Sequence, residues 1–273
     1  MIAPVIWWRR AGGLIALLSA VSVAGAPARI VSTNPCIDAI LIEVADPGQI
    51  AAISHYSQRA RSTSIPLAVA ARFPATSGTA EEVIARSPDL VIADPFAGAA
   101  MAAVLRRLGV PMLSIGPPDT IAQSRAQVRI IARAAGRPQR GEVLVARIDA
   151  AVAAAATTGP PIPALIWVGG GMVPGPRTLP DALLRASGFR NQSADYGLRQ
   201  WDVLPLELLV ANPPRVLLTN LEAAGTDRML GHPVLRSLVH RIALRPYPER
   251  LLNCGGPSII AALNHLAAVR RTL

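Results

Sequence analysis

Lysine is absent from this chain of 273 residues; all 27 basic side chains are arginine. Without lysine there is no G-K-[ST] phosphate loop. We read the lack of lysine as codon bias rather than as a functional signal. Charged side chains are scarce at 16%, and mean hydropathy is +0.38, which excludes a disordered chain. Two cysteines are too few for a disulfide-stapled miniature scaffold. The four histidines, at 55, 232, 240 and 265, have no H-E-x-x-H or other ligand spacing, so a bare transition-metal site is not expected. No G-x-S-x-G elbow occurs, and Gly169–Gly175 does not fit G-x-G-x-x-G. Against these absences stand 51% hydrophobic residues, enough for one large domain or two lobes with real cores. The net charge of +10 favours anionic small partners through long-range steering.

Residues 1–26 read as a cleavable export signal. Arg9 and Arg10 close a basic start, Ala11–Val23 is an uncharged apolar run, and Ala24-Gly25-Ala26 is an A-x-A site. The run is shorter than the ~18 residues of a span. Cleavage after Ala24 or Ala28 also stays open, as does a twin-arginine route through Arg9-Arg10. Removing residues 1–26 leaves a periplasmic chain of charge +8.

From residue 29 onward, short apolar strands alternate with helices of 8–12 residues, the pattern of βα units and parallel sheets. Strands are expected at 29–32, 49–54, 90–93 and 112–115, with Asn34-Pro35 opening a helix after the first. Residues 57–79 read as loop. Residues 120–156 read as helix, punctuated once at Gly136-Arg137-Pro138 and ended at Thr157–Pro161. Beyond this stop the pattern repeats, with strands at 165–168, 216–219 and 242–245 and helices at 179–186, 231–239 and 257–270. Glu81 to Ile92 and Glu207 to Leu218 echo one another: Glu, six residues, Pro, one residue, an apolar strand. Each Glu opens a short helix, where a carboxylate suits the helix dipole.

The segments Arg29–Pro35, Ser54-His55-Tyr56-Ser57 and Ser87–Ala93 resemble those of a known family. Their order and spacing, with the long mid-chain helix and the N-C-G-G-P-S run at 253–258, are similar to solute-binding proteins of ABC importers for cobalamin and ferric siderophores. The resemblance implies an α/β fold of two Rossmann-like lobes with parallel sheets, 27–137 and 159–273, bridged by one long α-helix at 138–158. It implies a ligand held between the lobes, and Glu81 and Glu207 as the carboxylates that dock onto an ABC permease of the inner membrane.

Parallel sheets place ligands at the carboxyl ends of their strands. That rule, with the resemblance, selects Asn34, Cys36, His55, Tyr56, Phe96, Trp167, Trp201, Arg250 and Cys254 as ligand-binding candidates. Tyr196 and Tyr247 lie in similar segments, and Arg59, Arg72 and Arg199 are further positions for neutralising an anionic chelate. Cys36 and Cys254 admit three readings: a disulfide across the cleft, unpaired cleft residues, or thiolate ligands. The expected function is capture of a metal chelate, a ferric siderophore or a corrinoid, by a monomer with no resident cofactor, no catalytic residue and no nucleic-acid partner. Two alternatives stand beside it: a haem-binding or sensory module on the same fold, and a secreted α/β enzyme using Cys36 or Cys254 as nucleophile with His55 as base.

Overall fold

Strands that are apolar on both faces must be covered on both faces, and here the covering elements are helices. A computed structural model describes residues 25–220, 232–233, 240–252 and 254–273. Nearly all of the expected signal segment, most of the helix expected at 231–239, and Asn253 lie outside the described residues. The first sheet contains β1 (Ile30–Ser32), β2 (Ile50–Ser54), β3 (Ala75–Thr76), β4 (Leu90–Ala93) and β5 (Met112–Ser114). Its order is β3-β2-β1-β4-β5, and every pair is parallel. The second sheet contains β6 (Ile162–Trp167), β8 (Phe189–Asn191), β10 (Val216–Thr219) and β11 (Ala243–Pro246). Its order is β11-β10-β6-β8, again all parallel. The first sheet is that of a Rossmann-like lobe, and the second repeats its layout.

Helices follow from local chemistry. In α1 (Pro35–Val44) the Asn34 side chain accepts from the Cys36 amide at 2.8 Å, and Pro35 takes the first turn, where no amide is needed. Short helices α2 (Leu67–Ala70), α3 (Ala80–Ala85) and α4 (Ala99–Arg107) complete the first lobe with α5 (Ile121–Ala134). The punctuation at Gly136–Pro138 separates α5 from α6 (Pro138–Ala155), 18 residues and about 27 Å long. The second lobe adds α7 (Leu179–Ala186), α8 (Leu206–Ala211) and the closing α9 (Ser258–Arg271). Helix α6 packs against α5 and α1 on the first lobe and against α9 on the second. Arg137 and Arg140 both pair with Asp46, and Arg147 with Glu43, which ties α6 to the C-terminal end of α1 and the turn beyond it. Hydrogen bonds from the first two arginines hold the Asp46 carboxyl below the usual carboxylate range. One buried apolar cluster runs from Ile30, Leu41 and Ile92 through Leu144 and Ile148 to Ala164, Leu184 and Leu263. The lobes therefore share a core.

The stretch read as loop at 57–79 contains α2 and β3. A two-stranded antiparallel ribbon, β7 (Met172–Val173) with β9 (Asp202–Val203), and the short β8 are also absent from the sequence-based expectation. Strands of two or three residues carry no periodicity to read. Among the described residues no helix is long and apolar enough to cross a membrane.

The echoed segments become α3–β4 and α8–β10. Both strands lie beside the leading strand of their lobe, β1 or β6, and both have the next strand, β5 or β11, on their other side. Glu81 and Glu207 are exposed in the first turns of α3 and α8. The chain presents one helix–strand unit twice, in equivalent places.

Candidate functional site

Cys36, at the start of α1, and Cys254, just before α9, form a disulfide with their Cα atoms 4.9 Å apart. Of the three readings of these residues, the thiol ones are corrected: neither sulfur is a free nucleophile or thiolate ligand. The bond joins the lobes where they already touch closely. A Cβ on Gly255 would lie 2.5 Å from Ser124 Oγ and 2.9 Å from Pro118 Cγ. The Gly256 amide donates to the same Ser124 hydroxyl at 2.7 Å. Two glycines let this second-lobe segment enter between α1 and α5.

The first lobe offers its chemistry in the turn His55–Gln58 that follows β2. Ser54 caps the turn, its hydroxyl accepting from the Tyr56 amide at 3.3 Å. His55 Nδ1 lies 3.2 Å from the Thr76 carbonyl oxygen. A carbonyl only accepts, so Nδ1 donates, which leaves Nε2 as the ring nitrogen outside this bond. The imidazole and the Tyr56 ring are 4.1 Å apart, and the Arg59 guanidinium lies 5.3 Å from the Tyr56 ring centre. Tyr56 is 45% exposed. The Thr76 hydroxyl in turn donates to Glu82, as does the Ser77 amide, and these bonds hold the Glu82 carboxyl below its usual range.

Beneath the turn lies Asp38 of α1, fully buried. Its Oδ2 accepts from the Ser54 amide at 2.9 Å and the Ser57 hydroxyl at 2.6 Å, while Oδ1 has no hydrogen-bond partner. Burial pushes this carboxyl up to about 7, against the opposing pull of the polar groups of Ser32, Ser57 and Ser54.

Next to the disulfide, Asn34, Cys36, Asp94, Phe96, Pro117 and Gly255 line a cavity of about 210 Å³. Asn34 Nδ2 donates to Asp94 Oδ2 at 3.0 Å, joining the ends of β1 and β4. The cavity is smaller than the ~300–1,000 Å³ of drug-sized sites, so it is too small to enclose a large chelate. Phe96 is 86% exposed at its rim. On the second lobe, Trp201 is exposed between β8 and β9, immediately before β9. Tyr56, Phe96 and Trp201 are the exposed large aromatics among the described residues. They belong to the segments that follow β2, β4 and β8.

The support of Trp201 depends on Gly175. A Cβ there would lie 2.7 Å from the Gln200 amide nitrogen and 2.9 Å from the Arg199 carbonyl carbon, backbone atoms that cannot rotate away. Gly175→Ala is expected to cost ~1–3 kcal/mol by overpacking and to displace the Trp201 loop. Urea denaturation with tryptophan emission checks both; an unchanged midpoint and spectrum would count against this packing argument.

Four sequence-based assignments change place. Trp167 is 1% exposed and packs with Leu165, Val173 and Leu217 in the second-lobe core, so it is removed from the ligand contacts. Strand β6 runs through residue 167, and period-two alternation puts Leu165 and Trp167 on the same covered face. Tyr247 is buried, and Tyr196 donates its hydroxyl to the Asn212 carbonyl at 2.6 Å; both are structural. Arg250 lies apart from the Asn34–Asp94 cavity, at a second one of about 240 Å³ between α1, α2 and the start of α9. Asp38 escapes sequence reasoning: an isolated acid in a largely apolar helix carries no motif.

The periplasmic binding protein family matches residues 30–239. No curated protein matches the chain. Among solved structures, the apo form of the periplasmic heme-binding protein RhuT from Roseiflexus sp. RS-1 is 30% identical, with a TM-score of 0.71, covering 89% of this chain and 97% of its own. The periplasmic heme-binding protein HutB of Vibrio cholerae superposes with a TM-score of 0.73 at 17% identity, over 89% of this chain and 98% of its own. The periplasmic vitamin B12 binding protein BtuF of Vibrio cholerae has a TM-score of 0.70 at 18% identity, over 90% and 98%. At those last two identities the likeness is one of fold. With three quarters of its length matched and its two parallel-sheet lobes superposing on solute carriers rather than enzymes, the chain belongs to the periplasmic binding protein family.

Proposed function

We propose that this protein captures an iron porphyrin between its lobes and delivers it to an ABC permease. The observation that carries the reading is the patch of His55, Tyr56 and Arg59. Cobalamin and siderophores present a metal whose coordination is already filled by the chelator. A ferric porphyrin has open axial positions and two carboxylates. It calls for a hard oxygen or imidazole donor flanked by guanidinium, with flat apolar surface around it. The Tyr56 phenol and His55 Nε2 are such donors, and Arg59 is beside them. Phe96 and Trp201 add aromatic surface. RhuT and HutB are named heme-binding proteins, and RhuT is the relative at 30% identity. The reading thus favours the haem alternative over the siderophore and corrinoid readings. Its other parts are an export signal at 1–26, lobes at 27–137 and 159–273 joined by the helix at 138–158, and a monomeric state.

Titration of the mature protein with haemin, metal-free protoporphyrin, cyanocobalamin and ferric siderophores tests the proposal. Saturable one-to-one binding of haemin is expected, tighter than metal-free porphyrin by about 100-fold, the ~3 kcal/mol of a metal–ligand bond net of desolvation. Equal affinity for the metal-free ring, or selective uptake of cobalamin or a siderophore, overturns it.

Delivery is assigned to Glu81 and Glu207, the exposed carboxylates of the repeated helix–strand unit. Changing both to alanine is expected to leave haemin affinity within about twofold and to cut permease-coupled uptake by more than about tenfold, since rim charges act mainly on docking. Uptake by proteoliposomes carrying the permease reads this; undiminished transport removes the assignment.

A further inference from the structure

The haem patch hangs from one buried side chain. Asp38 touches the ends of two strands and the turn between them and the cleft: the Ser32 hydroxyl from β1, the Ser54 amide from β2 and the Ser57 hydroxyl from the turn. His55 and Tyr56 stand between the last two of these contacts. Gln58, at the far end of the turn, ties it instead to the carbonyls of Ala70 and Phe73. Oδ1 of Asp38 is left without a partner.

We propose that Asp38 is the positioning residue of the ligand patch, and that one proton on its buried carboxyl decides how firmly the turn bearing His55 and Tyr56 is held. This inference rests on the haem reading for its ligand, but not for its mechanism. With the proton on Oδ1, the buried group is neutral, so burial no longer works against it. Oδ2 keeps its two donors. Without the proton, the carboxylate is an anion in a buried interior, and the pull of the three serines does not offset that burial. The fold answers by letting the turn open to water.

The charged groups nearby do not change this balance. The turn brings His55 and Tyr56, α1 itself brings Glu43, α5 brings Arg125, Arg129 and Arg133, and α6 brings Arg140, Glu142, Arg147 and Asp149. None is among the influences on the Asp38 carboxyl, which are burial and the three serines. Glu43 is engaged by Arg147 and Arg125 by Asp149. β1 and β2 contribute no ionisable side chain. The sign follows from the raised folded value. The native state holds the proton more tightly than the unfolded chain, so the stabilisation is complete below the ordinary carboxyl value of 3.8. It is lost as pH rises to about 7.

Asp38→Asn is a neutral mimic of the protonated state. Ligand-free protein is measured first. The melting temperature of Asp38→Asn minus that of wild type is expected to rise by about 5 °C between pH 5 and pH 7.5. Hydrogen exchange of residues 54–59, corrected for intrinsic rates, is expected to quicken about tenfold in wild type from pH 6 to pH 8 and to stay level in Asp38→Asn. Ser57→Ala removes a bond that lowers the carboxyl value, so the step in wild-type exchange should move to higher pH; this variant serves if Asp38→Asn does not fold. His55→Gln should keep the step. A melting difference flat in pH, or a step abolished by His55→Gln, overturns the proposal. With haemin, the loss of affinity from pH 6 to pH 8 should be about fivefold larger in wild type than in Asp38→Asn. If haemin does not bind wild type at all, the haem reading fails while the ligand-free measurements still decide the role of Asp38.

Discussion

The double substitution Cys36→Ala with Cys254→Ala is expected to lower unfolding free energy by ~3–5 kcal/mol, the range for a long cross-linked loop. The bond spans 218 residues, and the entropy it removes from the unfolded chain grows with the logarithm of that span. Much of the chain lies inside the loop, so both lobes and α6 feel the constraint. The substitution should also change how the lobes move. At present two covalent links join them, the α6 connection and the disulfide, and two links leave one axis of rotation where a single helix leaves more. Ligand dissociation should accelerate when the bond is absent, and reduction of wild type should reproduce the effect. Chemical denaturation and stopped-flow release of haemin in oxidised and reduced protein check both statements. A variant within ~1 kcal/mol of wild type would mean that the shared core and the Gly255–Ser124 contact hold the junction unaided.

The second large effect is expected at Tyr56. Tyr56→Ala removes the phenol and the ring together and should weaken haemin binding by about 100-fold or more, ~3 kcal/mol. Tyr56→Phe keeps the ring stacked on His55 and under Arg59. It separates ligation from stacking: with phenol ligation it resembles Tyr56→Ala in affinity and shifts the ferric spectrum, and with stacking alone it resembles wild type. Arg59→Ala should weaken binding less, about tenfold, because an exposed guanidinium works against solvent screening. If Tyr56→Ala retains wild-type affinity and spectrum, the ligand is held elsewhere and the patch is not its site.

How far the amino-acid sequence betrays this molecule depends on the length scale of the signal. Apolar runs such as Leu90–Ala93 and Val216–Thr219 bury every residue, and such runs betray a parallel sheet. Asn34-Pro35 announces α1, and Gly136–Pro138 separates α5 from α6. The rule that ligands gather at strand ends finds His55, Tyr56, Phe96 and Trp201, all accessible in the fold. It fails at Trp167, which is the last residue of β6 itself rather than the first beyond it, so the pleat turns its ring into the core. The pairing of Cys36 with Cys254 is one of three readings of the sequence, because spacing alone says nothing of distance across a cleft. Asp38 is invisible there, for the positioning role proposed for it depends on three serines, two of which come close to it only through folding of distant segments. Gly175 is equally silent: what forbids a side chain there is the backbone of residues 199–200, some twenty-five positions away.

The repeated helix–strand unit has a last consequence. The patch of His55, Tyr56 and Arg59 belongs to the first lobe, so on the haem reading proposed above the cargo is bound lopsidedly. Glu81 and Glu207, in contrast, open equivalent helices ahead of equivalent strands. For the docking role proposed above, a permease built of two like halves meets the same carboxylate from either lobe. The carrier then has two productive landings, half a turn apart, and need not know which way round it arrives. A cargo held off-centre would be set down over the same axis in both, facing opposite walls of the pathway.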